Sequence, residues 1–259
     1  MKDIKILFIP DVHCRDFWKK PVYETLENNP EAIIVFVGDY LDGYPIDWGI
    51  DDDYPEIGIE NFKEILKLKQ QYKNRIILLL GNHDGTYAIS TDICDCRTDS
   101  KHFKELINLF NENRNDFLIA YEKKINDIHF VFSHAGITLG WLKFNEYEEF
   151  KDNIVDFLNN AWLINDNRIL NSLGQYDRQR GYLSYEYGSP LWADIRETYK
   201  LTKEESIGDF QIVGHTRLNG NTPLVFDSIG DFDSKQAFYI DSKGIIKFYN
   251  DDKPVEKTK

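Results

Sequence analysis

Three short, nearly continuous apolar runs, at residues 4–9, 32–37 and 76–80, constrain this chain more than any other feature. Each is too short for a typical helix and too uniformly apolar for a strand with one face in water. They read as strands covered on both faces. Helical periodicity fills the gaps between and after them. Phe62, Ile65, Leu66 and Tyr72 fall on roughly one face of residues 60–72, and Phe103, Leu106, Ile107 and Phe110 follow the i, i+3, i+4, i+7 spacing of an amphipathic helix. Strand, helix, strand, helix is the pattern of a layered α/β sheet.

Two further strands are expected at residues 117–122 and 128–132, separated by a polar turn. Residues 140–208 differ in character. A helix with Phe150, Ile154, Phe157, Leu158 and Ala161 on one face precedes an irregular stretch rich in Tyr, Arg and Gly. Strands return at 210–213, 224–227, 237–240 and 245–249, the last two joined as a hairpin by Asp241-Ser242-Lys243-Gly244. The charged tail from Asp251 reads as frayed. Without repeats or low-complexity linkers, residues 1–259 read as one domain with an insertion at about 140–208.

Composition narrows the setting. The 42% hydrophobic and 14% aromatic content fits a folded globular chain, and no apolar run is long enough to span a bilayer. The N-terminus lacks the apolar stretch and cleavage site of a secretory signal. Cys14, Cys94 and Cys96 are an odd, sparse set and no disulfide framework, which points to a reducing, cytoplasmic setting. A net charge of −13 repels long nucleic acid, whereas a small anionic ligand remains compatible with one local patch of positive charge.

The residues that follow the strands carry the chemistry. Asp11-Val12-His13 follows the first run, Gly38-Asp39-Tyr40-Leu41-Asp42 the second, and Gly81-Asn82-His83-Asp84 the third. Ser133-His134-Ala135-Gly136 follows the strand at 128–132, and Gly214-His215-Thr216 the strand at 210–213. Sites in α/β sheets lie beyond the carboxyl ends of strands, so these clusters are expected to converge. Taken singly they are weak signals, since Asp-x-His and Gly-Asn-His-Asp also make ordinary turns. What decides the reading is that four of the 6 histidines sit in these clusters, each after a strand. Carboxylates, imidazoles and one amide, with no thiolate, suit Mn²⁺, Fe, Zn²⁺ or Ni²⁺ rather than a structural Cys-bound zinc. Asp39 is the candidate for bridging two cations, and glycines at 38, 81 and 214 let the backbone turn sharply beside them.

In this order the clusters resemble the motifs of the calcineurin-like metallophosphoesterase superfamily: Asp-x-His, Gly-Asp-x-x-Asp, Gly-Asn-His-Asp/Glu, a strand-end His and Gly-His. The likeness runs through residues 4–216. It implies an α/β fold of two packed mixed β-sheets flanked by helices, and a pair of divalent metal ions, Mn²⁺ foremost. Asp11, His13 and Asp39 would hold one ion, and Asp39, Asn82, His134 and His215 the other. A hydroxide bridging the metals would attack phosphorus in line. His83, oriented by Asp42, would serve as general acid toward the leaving oxygen. The implied activity is hydrolysis of a phosphate ester, monoester or diester, on a small phosphorylated substrate or a phosphopeptide.

Many members of the superfamily end the last motif as Gly-His-x-His, whereas this chain has Arg217 at the second His. That, with the Ser133–Gly136 cluster and Leu191-Trp192-Ala193-Asp194, resembles the branch of phosphoprotein phosphatases and dinucleoside tetraphosphatases. Yet that branch places a phosphate-gripping Arg directly after the second Asp of Gly-Asp-x-x-Asp, where Gly43 stands here, and its second gripping Arg has no clear counterpart. Arg97, Arg180, Arg196 and Arg217 are candidates to replace them, with Arg178 beside Arg180; for any single one a surface ion pair is the plainer reading.

Other features carry bland readings. Cys94 and Cys96 read as loop cysteines beside the site, His102 as a helix-start surface residue and His129 as a strand residue. Asp51-Asp52-Asp53 reads as a solvated loop. Trp141, Trp162 and Trp192, with Tyr182, Tyr185 and Tyr187, serve core packing or line a cleft. Two alternatives to phosphatase action stand: symmetrical cleavage of dinucleoside polyphosphates, and a catalytically silent metal-binding scaffold.

Overall fold

The two-sided burial expected of the apolar runs has a direct structural cause. The computed structural model describes residues 2–44, 54–89, 96–175, 187–198, 206–217 and 222–258. β1 (Ile6–Ile9), β2 (Ile33–Phe36) and β3 (Ile76–Leu79) are parallel neighbours, with Ile6 opposite Ile33 and Ile34 opposite Ile76. Successive side chains alternate between two cores. Leu7, Ile9, Ile34, Phe36, Ile76 and Leu78 pack in one. Ile6, Phe8, Val35, Ile77 and Leu79 pack in the other.

Helices build the first core. They include α1 (Lys19–Asn28), α2 (Tyr54–Tyr72), α3 (Asn82–Ala88) and α4 (Phe103–Glu112). Val22 of α1, Phe62, Ile65 and Leu66 of α2, and Leu106 and Phe110 of α4 bury against the sheet. These include the apolar positions that the helical spacing marks, although α2 begins at Tyr54, ahead of the expected residue 60.

A second sheet builds the other core. It runs β5-β6-β7-β9-β8, from β5 (Ala120–Ile125), β6 (Ile128–Ser133), β7 (Phe210–Val213), β8 (Leu224–Val225) and β9 (Ile229–Asp231), with β6, β7 and β9 parallel. The first sheet runs β11-β10-β1-β2-β3-β4, adding β4 (Phe117–Leu118), β10 (Phe238–Ile240) and β11 (Ile246–Phe248). The Phe8 ring of the first sheet lies 6.1 Å from Phe132 of β6 and 4.9 Å from Phe232, just after β9, joining the two sheets. Each such buried ring contributes about 1.5–3 kcal/mol, which fixes both sets of strand ends relative to each other.

Three expectations need correction. The run at 117–122 is not one strand: β4 pairs with β3 and β5 with β6, so the chain changes sheets at Ile119. Asn159, on the helix Ile154–Leu163, accepts from the Ile119 and Ala120 N–H groups and donates to the Ala120 carbonyl, satisfying the backbone at the crossing. Hydrophobicity cannot mark that break, because Phe117, Ile119 and Ala120 are all buried. The strand expected at 224–227 covers only Leu224–Val225, and the unexpected β9 follows it. Lastly, the tail is not frayed. Val255 N–H donates to Ile246 O and Thr258 N–H to Val225 O, so it straps the outer strands of both sheets together and covers their edges.

Among the described residues no helix is long and apolar enough to cross a membrane.

Candidate metal centre

Parallel strands of both sheets end on the same side of the molecule, and the loops that leave them are held in costly conformations. His13, Asp39, Asp42 and His215 have φ of 44°, 51°, 56° and 75°, in the left-handed region that side chains disfavour. Such residues cost on the order of 1–3 kcal/mol each and persist only where their surroundings over-determine them. Close packing supplies that determination. A Cβ at Gly81 would lie 2.1 Å from Asp39 Oδ1, and one at Gly214 would lie 2.1 Å from Asp11 Oδ1. Both loops therefore approach a carboxylate at distances only glycine allows.

Asp84 ties the loops after β2 and β3 together. Its buried carboxylate accepts from the N–H groups of Asp39 (2.7 Å), Gly81 (2.8 Å) and Tyr40 (3.1 Å). On the far side, the His215 N–H donates to both Asp11 oxygens, at 3.0 and 3.1 Å, binding the loop after β7 to the loop after β1. The Arg15 guanidinium donates to the carbonyls of Asp11 and Val12.

The six ligands expected from sequence converge. Asp39 Oδ2 lies 3.5 Å from both His13 Nε2 and His134 Nε2, while its Oδ1 accepts from the His83 N–H. Asn82 Oδ1 lies 2.9 Å from His134 Nε2 and 2.9 Å from His215 Nδ1. Asp11 Oδ2 stands 3.9 Å from His13 Nε2. Two sets of donor atoms, His13-Asp39-His83 and Asp11-Asp39-His134, lie within 4.8 Å of one another, and Asp39 belongs to both.

The chemistry of this donor set fits cations. His13 Nδ1 faces the Leu41 carbonyl and His134 Nδ1 the Val37 carbonyl, each at 3.0 Å, so each Nδ1 carries the proton and Nε2 keeps its lone pair. Those lone pairs point at carboxylate and amide oxygens that are themselves acceptors. Burial drives the Asp11 carboxyl well above its ordinary range, with Asp233 adding to the effect. Asp39 is likewise pushed up by burial, then by Asp11 and Asp84. His13 is pushed well down by burial and by neighbouring His83. A pocket of crowded acceptors, with neutral imidazoles and strained anions, is relieved by divalent cations.

Beside it, His83 Nδ1 lies 3.1 Å from Asp42 Oδ2, as the expected pair requires. Tyr87 Oη donates to the other Asp42 oxygen at 2.6 Å. The arginines divide. Arg97 donates to the Asp42 carbonyl and lies over the Tyr44 ring, 3.8 Å from its centre; Arg217 lies 4.5 Å from the same centre. Tyr44 packs on His13, ring centres 4.9 Å apart. Arg196, by contrast, makes a two-point pair with Asp194, both bonds 2.7 Å. Arg178, Arg180, Cys94, Asp51, Asp52, Asp53, Tyr182 and Tyr185 lie outside the described residues.

The bland features fall as follows. Cys96 Sγ accepts from Asn82 Nδ2 at 3.1 Å, which turns Oδ1 toward the two histidines. Cys14 is buried, and burial pushes its thiol up to about 12. His102 pairs with Asp99 and His129 with Glu122. Trp141 and Trp162 are core, and Trp192 packs edge-on against His215, ring centres 5.7 Å apart. Reading the sequence assigned no role to Asp84, Tyr87 or Tyr44, whereas Cys96 lies beside the site as expected. Asp84 was within reach, since it stands in the Gly-Asn-His-Asp cluster at the start of α3.

Two packed sheets whose strand ends gather Asp, Asn and His form a site with donor groups that could hold metal ions. The chain belongs to the calcineurin-like phosphoesterases: that family's model matches residues 4–217. The family is metal-dependent and acts on phosphoester bonds. Solved structures share the fold. A cold-active protein-tyrosine phosphatase of a psychrophilic Shewanella species has 17% identity and a TM-score of 0.55, over 99% of this chain and 83% of that one. A protein serine/threonine phosphatase from Saccharomyces cerevisiae has 15% identity and a TM-score of 0.50, over 99% and 81%. No curated protein sequence matches the chain significantly.

Proposed function

We propose that this protein is a two-metal phosphoesterase acting on a small phosphorylated molecule or a phosphopeptide. The observation that carries the reading is Asp39 Oδ2, set 3.5 Å from an imidazole nitrogen on either side. Asp11, His13 and Asp39 would hold one divalent ion, and Asp39, Asn82, His134 and His215 the other. Mn²⁺ is our first choice, with Fe, Zn²⁺ and Ni²⁺ also suited to N and O donors. When bound, such a pair lowers the pKa of water and offsets charge on the phosphoryl group.

The chain's own residues supply the rest. Asp42 accepts from His83 Nδ1–H, which fixes the ring and leaves Nε2 to deliver a proton to the leaving oxygen. Arg97 and Arg217, both resting on Tyr44, bring cationic donors to the position where Gly43 provides none. Arg196 is held by Asp194, which makes it the weakest of the described candidates. We read the chain as a single domain with its substrate-side insertion at about 140–208.

The test is His83→Ala. The variant should keep both ions, measured by elemental analysis, and lose about 10²–10⁴-fold in turnover. Loss of an ion would instead make His83 a ligand, a role its grouping with His13 and Asp39 also allows. A panel of p-nitrophenyl phosphate, its bis-ester and a diadenosine polyphosphate separates monoester, diester and dinucleotide action. No turnover of any, with two ions bound, would leave only the silent scaffold.

A further inference from the structure

We infer that Tyr87 is a positioning residue for leaving-group protonation, acting through Asp42 on His83; this rests on the reading of His83 as general acid. Tyr87 lies on α3, one turn after His83, and its side chain reaches back to the same carboxylate. A phenol has one proton to donate. The Asp99 N–H donates to Tyr87 Oη at 2.8 Å, occupying a lone pair and leaving the phenolic proton directed at Asp42 Oδ1, 2.6 Å away. Asp42 Oδ2 is thereby left to His83 Nδ1. One carboxylate thus receives two fixed donors, one on each oxygen. The imidazole can turn only by breaking its half of that arrangement.

The brace continues outward. Asp99 Oδ1 accepts from the N–H groups of Lys101 and His102, and Asp99 Oδ2 lies 2.7 Å from His102 Nδ1. This turn precedes α4, so the backbone N–H that fixes Tyr87 is itself held by the start of a helix. The Tyr87 ring packs in the core, stacked at 6.1 Å on Phe110 and 5.5 Å from Phe103. Removing the hydroxyl alone leaves that packing in place. Burial together with the facing Asp42 pushes the phenol well up, which keeps Tyr87 a donor across the working pH range.

Tyr87→Phe separates a positioning role from a structural one. Two monoesters are compared on the same metal-loaded preparation: p-nitrophenyl phosphate, whose leaving group needs little protonation, and phenyl phosphate, whose leaving group needs more. The ratio of the two rates does not depend on the fraction folded. We expect kcat on phenyl phosphate to fall about tenfold more than on p-nitrophenyl phosphate, with KM within about twofold and both ions retained. In a His83→Ala background the Tyr87→Phe penalty should vanish, since the residue acts through His83. An unchanged rate ratio, or an equal penalty in both backgrounds, overturns the inference. His83→Ala alone keeps the two failures apart. If it shows no added penalty on phenyl phosphate, the general-acid reading fails; if it does and Tyr87→Phe does not, only the role of Tyr87 fails.

Discussion

Asp84→Ala probes the loop geometry that delivers Asp39. The carboxylate is completely buried and is the acceptor for the N–H groups of Asp39, Gly81 and Tyr40. Removing it leaves three buried donors without a partner, at about 1–3 kcal/mol each, so a loss of ~3–6 kcal/mol is expected after partial hydration. That is a large share of the ~5–15 kcal/mol typical of a domain. Asp84→Asn should cost less, about 1–3 kcal/mol, because one oxygen can still serve Asp39 and Gly81 while the amide opposes Tyr40. Displacement of Asp39 should also weaken Mn²⁺ binding by roughly 10–100-fold. Urea denaturation of the metal-free variants and calorimetric Mn²⁺ titration measure both. An Ala variant within ~0.5 kcal/mol of the parent, with unchanged affinity, would refute the view that Asp84 holds these loops.

Further predictions concern charge, grip and packing. In the metal-free protein burial raises Asp11 and Asp39 well above their ordinary values and Asp84 to about 7, so the folded state binds more protons than the unfolded one. Their stabilising contribution is full below about pH 4 and is lost as pH rises through the raised values. His13, lowered by burial, works in the opposite direction up to about pH 6.5, so the net fall should be clearest above that point. The gain in Tm on adding Mn²⁺ should therefore grow with pH; a constant gain would contradict it. Arg97→Ala should raise KM about tenfold, and Arg196→Ala should stay within about twofold in steady-state kinetics; equal effects would reverse the assignment. Gly214→Ala should lower metal affinity more than thermal stability, because its Cβ meets Asp11 Oδ1; calorimetry that finds unaltered affinity would show that the loop yields freely.

Much of the first sheet was legible because burial on both faces writes itself as uninterrupted Ile, Leu, Val and Phe. The ligands were legible because each falls just after such a run, where chain direction alone brings strand ends together. Position along the chain says less about sheet membership. Residues 117–122 look like one strand because Phe117, Ile119 and Ala120 are buried on either side of the break, yet Asn159 holds the point where the chain changes sheets. The braces around the site were harder still. Tyr87 and Tyr44 act through partners far away in sequence, at Asp42 and His13, and nothing in their own neighbourhoods marks those contacts; Cys96 was expected beside the site, but not its bond to Asn82.

The central claim is that Asp39 joins two cations. Anomalous diffraction from Mn²⁺-loaded crystals tests it most directly, with Asp39→Asn measured alongside. Two peaks sharing the Asp39 carboxylate, with loss of both occupancy and p-nitrophenyl phosphate turnover in Asp39→Asn, is the predicted result. A single peak, or two ions that leave Asp39 uncontacted, would contradict the account.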